Sequence, residues 1–73
     1  MTLSDLPLNK PAKINALPKD KAVAAQLLAQ GFTLRTQVSL AHKAPFNGPV
    51  AIRLHNTKIS IQRAVAQQIG VDF

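Results

Sequence analysis

His42 and His55, with Asp5, Asp20 and Asp72, are the side chains that could hold a metal ion or move a proton. Acid–base work by carboxylates needs two of them held together. Here one aspartate opens the chain, one precedes a helical stretch and one is next to last. Two imidazoles without a third ligand make a poor metal site, and the absence of cysteine removes every thiolate site. The three glycines, Gly31, Gly48 and Gly70, stand alone, so there is no Gly-rich phosphate loop and no nucleophile elbow. These residues point away from an enzyme and away from a bound cofactor or metal.

Charge is the next signal. Nine Lys and Arg against three Asp give a net charge of +6 on 73 residues. Such a balance favours acidic partners, whether nucleic acid, an anionic surface or an acidic protein face. The cations are scattered, so neither a basic tail nor a basic helix is marked. A nucleic-acid-binding barrel also needs stacking aromatics, and only Phe32, Phe46 and Phe73 are present. A small basic nucleic-acid-binding barrel is therefore the alternative reading, carried by charge alone.

The elements that would position these groups are short. Pro18 and Asp20 announce a helix from Asp20 to Gln30, and Gly31 is placed to end it in the left-handed conformation. Phe32 then falls where a Schellman end would bring it back onto Leu27. Ala12, Ile14 and Ala16 alternate before the helix, and Val38 with Leu40 alternate after it. Pro45-Phe46-Asn47-Gly48-Pro49 is a turn, which we expect to set Ala44 opposite Val50. That register puts His42 on the side of Val38 and Leu40, and His55 on the other, unless a bulge reunites them. Val50, Ile52 and Leu54 make the next strand, Asn56-Thr57 a tight turn with Asn at positive φ, and Ile59 and Ile61 a further strand. A helical turn from Arg63 to Gln67 and a last strand from Ile69 to Val71 complete the chain. Short strands at close intervals close into a barrel because closure removes exposed edges. The expected fold is mainly β: one domain over residues 1–73, a small barrel of about five strands, with one α-helix between the first and second strands.

Met1-Thr2-Leu3-Ser4-Asp5-Leu6-Pro7 lacks a basic region followed by an apolar run, and the weakly polar stretch from Ala22 to Ala29 is far short of a span. We expect a cytoplasmic protein. Phe46 is the most informative residue, because a large apolar side chain between two prolines in a turn is unusual. It either folds back on the barrel as a lid or projects as an anchor for a partner.

Several segments together resemble the FeoA family, the small ferrous iron transport protein A. Leu27-Leu28-Ala29-Gln30-Gly31-Phe32 is similar to its helix end, L-L-x-x-G-[FLM]. Ala44-Pro45-Phe46-Asn47-Gly48-Pro49-Val50 resembles its A-P-x-G-x-P hairpin, and Asn56 to Arg63 its G-x-x-[IL]-A-L-R-R strand. Ala66 and Ile69-Gly70-Val71 resemble the closing A-x-x-I-x-V, and Leu3-Ser4-Asp5-Leu6 a frequent opening. The chain departs from the family at Asn9, Arg35 and Asn56, which stand where glycines are usual, and at Gln62, which replaces an arginine. Asn tolerates the left-handed region, whereas Arg35 implies another turn type or strain. The resemblance implies an SH3-like barrel that assists FeoB, the membrane ferrous iron transporter with a cytosolic GTP-binding part. It assigns no metal, cofactor or catalytic residue. The partner-binding surface we expect is the cleft between the helix and the hairpin, with Phe46 as anchor, Leu28 on the helix, and Lys43, Arg53 and Lys58 as a basic rim.

Overall fold

The computed structural model describes residues 1–73. Alternating apolar positions form five strands: β1 (Ala12–Ala16), β2 (Gln37–Lys43), β3 (Val50–Leu54), β4 (Thr57–Ile61) and β5 (Gly70–Asp72). Helix α1 (Lys21–Gln30) lies between β1 and β2, and the single turn α2 (Arg63–Ala66) between β4 and β5. The strands make one antiparallel sheet in the order β4-β3-β2-β1-β5. Ile14, Val38, Leu40, Val50, Ile52, Leu54 and Val71 turn inward from it, into one cluster of 15 buried residues.

Helix α1 begins one residue later than its sequence suggests. Asp20 is its N-cap, and the carboxylate accepts from the backbone N–H groups of Ala22 at 2.9 Å and Val23 at 3.4 Å. The other end is as the sequence predicts. Gly31 has φ 102, its N–H donates to Leu28, and the N–H of Phe32 donates to the carbonyl of Leu27 at 2.9 Å. This Schellman pair delivers Phe32 into the core, fully buried beside Leu27 in the same cluster.

The N-terminal segment has a structural role that its sequence did not disclose. Its 3-10 turn, Leu3–Asp5, packs against α2. The N–H of Leu3 donates to the carbonyl of Ile69 and the N–H of Val71 to that of Met1, so the segment covers the free edge of β5. Asn9 donates to Leu40 at 2.8 Å and does the same for β2 where β1 has ended. Leu3 and Leu6 are buried, and their i, i+3 spacing was the available signal. Hydrogen bonds from the backbone and hydroxyl of Thr2 hold the Asp5 carboxyl below its ordinary pKa.

The β2–β3 register differs from the expected one. Lys43 pairs with Val50 and His42 with Ala51, then a bulge at Ala41 resets the ladder to Leu40 opposite Ile52. The cause is the turn. Gly48 donates to Pro45, and Ala44 donates to Pro49 at 3.1 Å, so Ala44 faces a proline that returns no N–H. The one-residue slip puts His42 on the outer face, exposed, and not on the side of Val38 and Leu40. At the β3–β4 turn Thr57 is drawn into the ladder opposite Leu54. The turn residues are therefore His55 and Asn56, and the positive φ of 55 falls on His55 where the sequence had suggested Asn56. Strand β5 begins and ends one residue later than expected, at Gly70–Asp72.

Arg35 carries the strain its sequence context implied. Its φ is 70, and its N–H is committed to the carbonyl of Ile14 at 2.7 Å, which fixes the peptide in that conformation. A side chain in the left-handed region costs about 1–2 kcal/mol, part of which glycine returns as chain entropy. Arg35→Gly should raise stability by about 0.5–1 kcal/mol and the melting temperature by a few degrees. Thermal unfolding followed by circular dichroism checks this, and a lower midpoint would refute it.

Candidate functional site

Phe46 and Asn47 have φ values of 58 and 60, the paired left-handed geometry of a type I′ turn, which favours Asn and Gly. Phe46 occupies the first of these positions and is 99% exposed. It does not fold back over the barrel, so the lid reading is excluded. A bulky apolar group stands at the apex of the turn on a backbone conformation that costs energy to hold. At the base of the turn, Nη2 of Arg63 donates to the carbonyl of Ala44 at 3.4 Å and ties the hairpin to α2.

The five residues singled out in the sequence do not form one surface. Lys43 is at the base of the Phe46 turn. Arg53 and Lys58 are directly opposite each other across β3 and β4, at the far end of those strands beside His55. The groove on α1 lies between Val23, Gln26, Leu27 and Gln30 on one wall and Ser60, Ile61, Gln62 and Val65 on the other. It faces β4 and α2, whereas the sequence had suggested the hairpin. Ile61, on its far wall, pairs with Val50 at the hairpin end of the sheet. Leu28 is 47% exposed on α1 and does not line the groove.

No three His, Cys, Asp or Glu side chains come together in a group able to hold a metal ion. The imidazoles lie apart in the ladder, His42 beside Ala51 and His55 beyond Leu54. The carboxylates are occupied: Asp5 by Thr2, Asp20 by the α1 N-terminus and Asp72 by Asn15. Of the three aromatics, Phe46 alone stands free, at the hairpin apex. Phe32 is core, and the Phe73 ring lies 4.1 Å from Nζ of Lys10 in a cation–π contact. No helix is long and apolar enough to cross a membrane.

The FeoA domain model matches residues 1–72. The chain belongs to the FeoA family. The solution structure of iron(II) transport protein A from Clostridium thermocellum superimposes with a TM-score of 0.91 at 26% identity, over 99% of this chain and 44% of that one. This chain thus spans less than half the length of that relative. Stenotrophomonas maltophilia FeoA, solved in complex with zinc and described as an SH3 domain protein, gives a TM-score of 0.83 at 28% identity, over 99% and 89% of the two chains. A manganese-dependent transcriptional repressor shares the fold at 14% identity, with a TM-score of 0.87 over 99% of this chain and 40% of its own. No curated protein matches the sequence. The FeoA family is associated with ferrous iron transport, and the five-stranded sheet with its helix between the first two strands is the family's SH3-like fold.

Proposed function

We propose that this FeoA domain acts as one unit, a cytoplasmic accessory protein of ferrous iron uptake that regulates the FeoB transporter by protein contact and performs no catalysis. The observation that carries the reading is Phe46. An aromatic side chain wholly in water on a left-handed backbone contributes nothing to the core, and interfaces are where such side chains do contribute. Lys43 at the hairpin base extends the contact. Arg53 and Lys58, at the other end of the same sheet, act on it through the field of a +6 molecule. The membrane-embedded partner would hold this soluble protein at the inner face of the membrane.

A contact of this kind has a specific salt signature. Charge steering changes the association rate, while a buried aromatic anchor sets the dissociation rate. Binding of the chain to the cytosolic GTP-binding part of FeoB should show an association rate that falls about tenfold or more as salt is raised, with dissociation nearly constant. Surface plasmon resonance at several ionic strengths measures both. Absence of binding at low salt would end the proposal, and an equally steep dissociation rate would move the contact from Phe46 to the cations.

A further inference from the structure

The outer face of β2 and β3 carries a groove of about 430 Å³, on the side of the sheet away from the core. Asn9, Gln37, Ser39, Arg53 and His55 are among the residues that line it, and none of its lining residues is acidic. None of those five side chains makes a hydrogen bond within the protein. Ser39 and Arg53 are cross-strand partners, so their side chains leave the same face of the sheet as neighbours. Lys58 is opposite Arg53 on the next strand. Like charges in that relation repel, and the three carboxylates of the molecule are engaged with Thr2, the α1 N-terminus and Asn15.

One backbone conformation is unexplained by folding alone. His55 holds its turn at φ 55 although Asn, the better residue for that conformation, is its immediate neighbour. Strain of this sort is found where a side chain is being aimed. The result is a concave site of unused donors with uncompensated positive charge.

We propose that this groove binds a phosphate group, with Arg53 as the bidentate charged donor, Lys58 as a second charge, and Ser39, Gln37 and His55 as further donors. A planar guanidinium fork matches two oxygens of a tetrahedral oxyanion, and the neutral donors take the others. The phosphate can be free in solution or carried on a lipid headgroup. The inference uses none of the hairpin-tip residues; Arg53 and Lys58 also add to the charge that steers the FeoB contact, so phosphate binding is tested with no FeoB present.

The test is a titration of the isotope-labelled chain with inorganic phosphate, chloride being exchanged to hold ionic strength constant, with phosphatidylglycerol vesicles as a parallel arm. We expect saturable amide shifts confined to residues around Ser39, Arg53 and His55. Arg53→Gln should weaken binding about tenfold or more, and Lys21→Gln, on the exposed start of α1, should leave it unchanged. Saturation by phosphate supports a soluble ligand. Binding only to vesicles, still dependent on Arg53, supports the headgroup. Shifts that never saturate in either arm, or equal losses in the two variants, would overturn the site.

Discussion

Phe46→Gly should fold as well as the parent chain or better, and bind FeoB at least about tenfold more weakly. The two halves of this result have separate causes. The side chain is 99% exposed, so its removal costs the core nothing, and φ 58 is a conformation that glycine adopts without penalty. Relief of a left-handed aromatic residue is worth about 1 kcal/mol, offset in part by the greater freedom of the unfolded chain. Binding behaves in the opposite way, because an aromatic anchor buried in a partner's pocket is worth about 2 kcal/mol or more. Denaturant unfolding and FeoB affinity measured on one preparation separate the halves. An affinity unchanged in a well-folded variant would remove Phe46 from the interface.

Phe32→Ala should remove about half of the chain's stability. Truncating a fully buried phenylalanine costs about 3–5 kcal/mol. A chain of this size has a total stability of about 4–11 kcal/mol, and no disulfide supports it. Phe32 is also the residue whose N–H closes the end of α1 on Leu27, so the cavity would open at the point where the helix is fastened to the sheet. Phe32→Leu, which leaves most of the volume filled, should fold with a clearly lowered midpoint. Urea unfolding followed by circular dichroism reads both variants. A Phe32→Ala chain within about 1 kcal/mol of the parent would mean that the core closes without the ring.

Local signals in the sequence placed the elements well. Asp20 before the helix, Gly31 after it, and the alternation of Val50, Ile52 and Leu54 each depend on only a few neighbouring residues. The register did not follow from them. It turns on Phe46 and Asn47 both adopting positive φ, and nothing in the identity of a phenylalanine announces that. His55 hid its conformation in the same way, behind an asparagine better suited to it. Packing of Leu3 and Leu6 under α2 is a long-range event that a short N-terminal stretch cannot signal strongly. The candidate site was legible as residue types and not as a surface. Phe46 stood out because of its two flanking prolines, but the separation of Arg53 and Lys58 from it required the sheet topology.

The hairpin apex is the part of this FeoA domain proposed to meet the transporter. A titration of isotope-labelled chain with the cytosolic part of FeoB tests it most directly. The amide signals of Lys43, Ala44, Phe46, Asn47 and Gly48 should broaden or shift first, while those of the fully paired Ile14 and Leu40 stay in place. Complex formation that leaves the Phe46 turn unperturbed would contradict it.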